Sequence, residues 1–326
     1  MTVTISDPTA HTAPSFVFYL GPFRFDSEID IPELRASTGT GERKVTIRLG
    51  EVPATLHEPV LEGESFQLAS TEFLLNIPGT ARYFVCSGNE VRVEIVPGAP
   101  IANISTYLLG SVFGVLCHQN GLLPLHASAV EFDGSVTAFL GNSGAGKSTL
   151  AACLRRRGHR IFSDDICLLE VEAAGEVPLV VPVAGWLKIW NESLRFLGET
   201  PIEQNRVFST DDKFRLFLTD PLAKTNSERL RLARVIFLAK AADLHAQPAL
   251  QPVPLLDAIG GLMEMTYAGY VPALGGHKSR LFQQCARVFR STQAFRLEVP
   301  WGLDRMESVL DLLESDIFNA AAKTQP

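Results

Sequence analysis

Residues 141–148 read Gly141-Asn142-Ser143-Gly144-Ala145-Gly146-Lys147-Ser148, a full G-x-x-x-x-G-K-[ST] phosphate-binding octapeptide, or P-loop. Its chemistry is anion recognition. Three glycines allow tight backbone turns, so successive N–H groups can face phosphate oxygens. The lysine can reach β- and γ-phosphates, and the following hydroxyl can sit on Mg²⁺. Gly141 to Ser148, with Thr149 beside them, are therefore the candidate nucleotide-binding residues, and ATP and Mg²⁺ the expected ligands.

Two further groups could act on a bound phosphate. Asp164 and Asp165 follow a short apolar run just after the helix expected at 147–157. In α/β folds ligands sit at the carboxyl ends of strands, which puts this pair near the phosphates. On extended backbone, adjacent side chains point opposite ways, so one Asp can hold a metal while the other faces another part of the site. A carboxylate there can orient and deprotonate an attacking hydroxyl. His126 lies on the strand expected before the P-loop strand, where it could orient a catalytic Asp or contact phosphate.

The positioning elements are legible nearby. Val136 to Leu140 is a short apolar run suited to a buried strand. Lys147 to Arg157 is a good helix former with Leu150 and Leu154 four apart, and Gly158 stands at its expected C-cap. Leu125 to Val130, the Asp133-Gly134 turn and the P-loop strand read as a hairpin. Residues 1–97 read as a β-rich domain for recognition, assembly or core completion. Its strands are expected at 16–20, 44–49, 65–68, 72–77, 82–86 and 90–96, with Gly39-Thr40-Gly41 as one of the turns. Pro97-Gly98-Ala99-Pro100 marks a boundary, and 98–326 forms the P-loop domain. In it, helices are expected at 101–117, 253–267, 276–290 and 303–320, and strands at 160–162, 235–238 and 294–299.

Composition narrows the classes. The chain has 326 residues, 46% hydrophobic and 20% charged, with a net charge of −7. That balance argues against nucleic acid as a partner. The five cysteines are odd in number, without a C-x-x-C pair, and read as reduced thiols of a cytoplasmic protein. The longest apolar run, Tyr107 to Cys117, is too short for a membrane span and reads as a buried helix.

The run Leu125-His126-Ala127-Ser128-Ala129-Val130, then the P-loop, Arg157-Gly158-His159-Arg160 and Ser163-Asp164-Asp165, resembles the HPr serine kinase/phosphorylase family. It looks closest to the branch with lasso-peptide precursor kinases. The match is close over about 120–170, with a looser likeness in layout onward to the Pro300-Trp301-Gly302-Leu303 segment and the last helix. The resemblance implies an α/β fold with a P-loop mixed sheet, flanking helices and the N-terminal β-rich domain. It implies Lys147 on phosphate, Ser148 and Asp165 on Mg²⁺, Asp164 as general base and His126 supporting that base. The family's Glu-Ile-Arg-Gly-type segment is missing. The comparable stretch is Val183-Ala184-Gly185-Trp186-Leu187-Lys188-Ile189-Trp190, so the resemblance by itself implies neither phosphorylase activity nor HPr as substrate, and both stay open.

The expected activity is ATP- and Mg²⁺-dependent transfer of the γ-phosphate to a Ser or Thr hydroxyl of a peptide or small protein. A lasso-peptide precursor is the favoured acceptor, and self-association stays open. The alternatives are an HPr(Ser)-kinase-type regulator, a small-metabolite kinase, and an ATPase or nucleotide-binding regulator without transfer. A transporter motor fits less well, because Val235 to Leu238 runs into Ala239-Lys240 rather than an acidic pair. Lys188, Lys213 and Arg215 are the basic residues expected to contact nucleotide or substrate phosphate.

Overall fold

The computed structural model describes residues 15–35, 37, 39–171, 177–183, 185–218, 228–241, 246–271, 278–299 and 302–323, for 317–323 the backbone only. Ala184, Pro300 and Trp301, part of the stretches singled out above, lie outside the described residues.

Alternating apolar residues build the first sheet. Its strands are β1 (Phe16–Ser27), β2 (Gly39–Leu49), β3 (Leu61–Glu62), β4 (Phe66–Leu68), β5 (Glu72–Ile77), β6 (Ala81–Cys86) and β7 (Glu90–Ile95). They run in the order β1-β2-β7-β6-β5-β4-β3. Two expectations shift here. The first strand runs seven residues beyond Leu20, passing through Gly21 at φ +55°. Gly39-Thr40-Gly41 opens β2 rather than forming a turn, because Gly39 pairs with Gly21 in a parallel register. A Cβ on Gly39 would lie 2.3 Å from the Gly21 carbonyl oxygen, so the glycine serves close strand approach.

After Pro100 one continuous helix runs as α1 (Ile101–Tyr107), a π-helical turn (Leu108–Val112) and α2 (Phe113–Gln119). By length and composition this span could cross a membrane, a correction to the shorter reading of the sequence. In the fold it is mostly buried. Ile104, Leu108, Val112, Phe113 and Leu116 join Phe23, Val45, Tyr83 and Val91 of the sheet in one cluster. Each such side chain removed from water contributes about 1.5–3 kcal/mol.

The second sheet carries the site. Its strands are β8 (Leu123–Leu125), β9 (Ala127–Phe132), β10 (Ser135–Leu140), β11 (Ile161–Ser163), β12 (Cys167–Glu170) and β13 (Leu179–Val181). After the two-stranded ribbon β14 (Trp186–Trp190) and β15 (Lys213–Phe217), it continues with β16 (Leu230–Lys240), β17 (Ala249–Pro252) and β18 (Gln293–Val299). The order is β11-β9-β10-β16-β13-β12-β8, with β18 joining β16 and β17 joining β18. The sheet is mixed: β10 and β18 flank β16 in parallel, while β9 is antiparallel to both β10 and β11.

Helices cover both faces. On one, α3 (Lys147–Arg156) places Leu150 and Leu154 against Phe139, Ile236 and Leu297. It is joined by α4 (Asn191–Phe196) and, through Met306, Val309 and Leu313, by the last helix. On the other, α5 (Leu255–Glu264) and α6 (Lys278–Val288) bury Ile259, Leu262, Leu281, Cys285 and Val288 over Ala129, Leu140 and Val235. The last helix, α7 (Met306–Lys323), follows a 3-10 turn at Leu303–Arg305. Every residue of β10 is buried, as its unbroken apolar run requires of a central strand.

Candidate active site

Strand polarity sets the site. Both β10 and β11 run antiparallel to β9, so their carboxyl ends lie on one side of the sheet. Ala127, the first residue of β9, pairs with Leu140, the last of β10. His126, Gly141 and Asp164 therefore converge from three separate segments. His126 does not lie on a strand, as expected from sequence, but on the bend between β8 and β9. There its N–H donates to the Met265 carbonyl at 2.7 Å.

The loop closes as its glycines require. Gly144 and Gly146 have φ +84° and +92°, conformations that cost a side-chain-bearing residue free energy. The first bond of α3 runs from the Leu150 N–H to the Gly146 carbonyl, so the N–H groups of Lys147, Ser148 and Thr149 precede the ladder. Such a helix start favours anions. Lys147 arches back over the loop, its Nζ donating to the carbonyls of Gly141 at 2.7 Å and Asn142 at 3.1 Å. Burial lowers its pKa, against the pull of Asp164 and Asp165. At the far end of α3, Gly158 at φ +97° terminates the helix. The Gly158 N–H bonds the Arg155 carbonyl and the His159 N–H bonds that of Leu154.

The two aspartates have different partners. Asp164 is buried. Its Oδ1 accepts from Ser148 Oγ at 2.8 Å and from Ser128 Oγ at 2.5 Å, and its Oδ2 from the Lys188 N–H at 2.8 Å. Burial, reinforced by the Asp165 charge, still pushes its carboxyl above the usual range, against those three donors. Asp165 is the more exposed of the pair, its side chain 17% accessible. Its Oδ2 accepts from Lys188 Nζ at 2.6 Å, and its Oδ1 lies 3.4 Å from His126 Nδ1. Burial opposes its charge, but Lys188 and then His126 outweigh it and hold the carboxyl down at about 2. His126 Nδ1 also lies 3.2 Å from the Asp165 carbonyl oxygen, and two acceptors facing one nitrogen assign the proton there. Burial, then Lys147, lowers the His126 pKa.

The divergence of the pair has a different cause from the extended backbone expected. Asp164 and Asp165 form a bend, with Asp165 in the left-handed region at φ +68°. For a residue with a Cβ that conformation costs about 1–3 kcal/mol and collects at functional sites.

The ribbon of β14 and β15 supplies the missing wall. Leu187, Ile189 and Phe214 on one of its faces enter the core beneath α3. The register pairs Lys188 with Arg215 and Trp190 with Lys213, so these four share the other face. Lys188 reaches the aspartates. Trp190 is 45% exposed, with Lys213 Nζ 5.7 Å from the centre of its ring. Arg215 is turned away from the site, into a buried ion pair with Glu33 at 2.9 Å, so its basic character serves the fold. Thr149 also points elsewhere, its hydroxyl donating to Ser193 Oγ at 3.0 Å.

The residues suit Mg²⁺. Ser148 Oγ and Asp164 offer hard oxygens at one point, and the raised Asp164 pKa marks a carboxylate short of compensating charge. Mg²⁺ is commonly held by one or two carboxylates together with substrate phosphates. Among the described residues no group of three or more His, Cys, Asp or Glu is placed to hold a metal alone. The five cysteines are unpaired, four of them buried.

Sequence reasoning assigned no role to Ser128 and none to the Lys188 N–H. The first had a signal: a lone hydroxyl within the apolar strand Ala-Ser-Ala-Val. The second is a backbone group and had none.

No family model and no curated protein matches this chain. Among solved structures it is similar to the HPr(Ser) kinase/phosphatase of Coxiella burnetii. The identity is 14% and the TM-score 0.32, over 61% of this chain and 91% of that one. A likeness of that size leaves the chemistry to be argued from the site itself.

Proposed function

We propose that this protein is a Mg²⁺- and ATP-dependent phosphotransferase acting on a hydroxyl. The observation that carries the reading is the split between the aspartates: Asp164 shares Ser148 with the P-loop, while Asp165 is held at the same mouth by Lys188 and His126. A nucleotide-binding loop alone needs no second carboxylate kept ionised and partly open.

In this mechanism Ser148 and Asp164 hold the metal, which neutralises charge on the β- and γ-phosphates when bound. Lys147 and the N–H groups at the start of α3 hold the phosphate oxygens. Asp165 orients the acceptor hydroxyl; as a weak base it takes the proton late, once the forming O–P bond has acidified that hydroxyl and the β–γ bridge bond breaks, releasing ADP. Lys188 fixes Asp165 and adds positive charge near the transferred group. These roles reverse the order of the aspartates implied by the family resemblance, because only Asp164 touches Ser148. The favoured acceptor is a Ser or Thr hydroxyl of a peptide or small protein, a lasso-peptide precursor first, with residues 1–97 as its recognition unit.

The test is to incubate the protein with ATP, Mg²⁺ and the peptide encoded beside its gene, and to follow phosphate gain by mass spectrometry. Lys147→Ala should abolish transfer. If ATP is hydrolysed at wild-type speed while no peptide, small protein or metabolite gains phosphate, the phosphotransferase reading fails.

A further inference from the structure

A second basic cleft opens on another part of the molecule. It has a volume of about 510 Å³ and is lined by Arg43, Arg280, Arg287, Gln283 and Gln284, with the turn at 119–121 as its floor. That volume falls in the usual range of small-molecule sites.

The cleft is built from rigid pieces. Arg280, Gln283, Gln284 and Arg287 recur at i, i+3, i+4 and i+7 on α6, one stripe of the helix. The alternate stripe, Leu281, Cys285 and Val288, is fixed in the core. Gln284 is buried and ties α6 to the floor, its Nε2 donating to the Gly121 carbonyl at 3.2 Å. Gly121 has φ +79°, and a Cβ there would lie 3.4 Å from an Arg280 Nη2, so the guanidinium crosses directly above it. Arg43 enters from β2 and donates to the Asn120 carbonyl at 2.6 Å. Gln119 and Asn120 are occupied by the β6–β7 turn. The Gly88 N–H donates to Gln119 Oε1, and Asn120 Nδ2 donates to the Gly88 carbonyl.

Three guanidinium groups thus line one cleft. Among the described residues none of the three forms an ion pair, whereas Arg157, Arg206, Arg215 and Arg229 each do. Like charges held together cost free energy unless an anion offsets them. On a chain of net charge −7 the cluster is not a by-product of general basicity. The planar fork of Arg matches phosphate and carboxylate oxygens in pairs.

We propose that this cleft binds a small oxyanion carrying two or more negative charges, with Arg43, Arg280 and Arg287 as its charge partners and Gln283 as a neutral donor. The site is separate from the P-loop: Gly121 and Val171, which line it, flank one end of the β8–β12 pair, and His126 and Asp165 flank the other.

The test uses full-length Lys147→Ala protein, in which phosphate binding at the P-loop is weakened, so that the arginine variant reports on the cleft. Pyrophosphate and citrate, at matched ionic strength, are the two probes, titrated by calorimetry. At least one is expected to bind, and Arg280→Gln/Arg287→Gln is expected to weaken that probe about tenfold or more, the loss of charged hydrogen bonds. Binding of pyrophosphate alone identifies a phosphate-bearing ligand, and binding of citrate alone a polycarboxylate. Gln283→Glu, a change at an exposed position, should weaken the same probe with all three arginines kept, because the new carboxylate competes for them. If neither probe binds the Lys147→Ala protein, or if the folded arginine variant and Gln283→Glu both bind as tightly as their parent, the proposal is overturned.

Discussion

Ser148 and Asp164 share a 2.8 Å hydrogen bond across sixteen residues of sequence, joining the P-loop to the end of β11. That bond fixes which aspartate stands beside the loop, and leaves Asp165 to Lys188 and His126. The two carboxylates are neighbours in the chain but belong to different halves of the site.

Their exchange to asparagine should therefore have different signatures. Asp165→Asn removes the group that takes the proton, and kcat should fall by about 10²–10⁴-fold with little change in ATP affinity. Asp164→Asn should raise the Mg²⁺ concentration needed for half-maximal rate and weaken Mg²⁺–ATP binding. Steady-state kinetics over a Mg²⁺ series distinguish the two. The reverse pattern would restore Asp164 as the base.

Asp164→Asn should also stabilise the ligand-free fold at pH 7–8. Burial raises the Asp164 pKa, so wherever this carboxylate is ionised the native state holds its charge at a cost. A carboxyl of this kind contributes stability below its unfolded pKa and loses that contribution as pH rises through its folded pKa. Asparagine keeps the shape, can accept from the Lys188 N–H and can donate to the two serine hydroxyls. Thermal melts of both proteins in EDTA should place the variant above the wild type.

Asp165 has the opposite sign. Its folded pKa of about 2 lies below the unfolded value of about 3.9. It contributes stability above pH 4, about 2–3 kcal/mol, which is lost as pH falls toward 2. Urea titrations between pH 6 and 3 should show wild-type stability falling more steeply than that of Asp165→Asn, with the two curves converging in acid.

The Glu33–Arg215 pair ties the first sheet's leading turn to the ribbon that presents Lys188. Ser105 Oγ donates to Glu33 at 2.6 Å, and Arg215 donates to Thr106 Oγ1 at 2.7 Å. Glu33→Gln leaves a buried guanidinium without its counter-charge and should cost about 3–5 kcal/mol in urea unfolding. Glu33→Gln/Arg215→Met should recover most of that loss. Additive costs in the double variant would show that the two groups are uncoupled.

Residues 1–97 and 98–326 share a core. Ile104, Leu108, Val112 and Leu116 of the second segment face Phe23, Phe73, Tyr83 and Val93 of the first, and Ile166, Val181 and Trp186 join the same cluster. Residues 98–326 produced alone should expose this apolar face and aggregate, while co-production with 1–97 should return soluble protein. A monodisperse, cooperatively melting 98–326 fragment would show that the first segment is dispensable for folding.

Local features of this chain are written in local sequence. The octapeptide specifies its own turn because only glycine takes φ near +90° at low cost. The Leu150 and Leu154 spacing, the Gly158 stop and the apolar run of β10 each need no more than a few neighbouring residues. Most strands of the first sheet were legible for the same reason, from period-two alternation between turn residues. The extension of β1 past Leu20 and the absorption of Gly39 into β2 were not, because both depend on a parallel pairing between the two strands.

The sequence by itself determined an anion-binding loop, a helix behind it, and a histidine and two aspartates within reach. The tertiary structure alone decided how they divide the work. Ser128, Ser148, Asp164 and Lys188 lie up to sixty residues apart, and β9–β10 pairing, β11 at the edge and the ribbon of β14 bring them together. Which carboxylate is buried, which lysine is an ion-pair partner and which arginine is structural are properties of surroundings. Burial and charge at a point are sums over groups that the linear order does not place side by side.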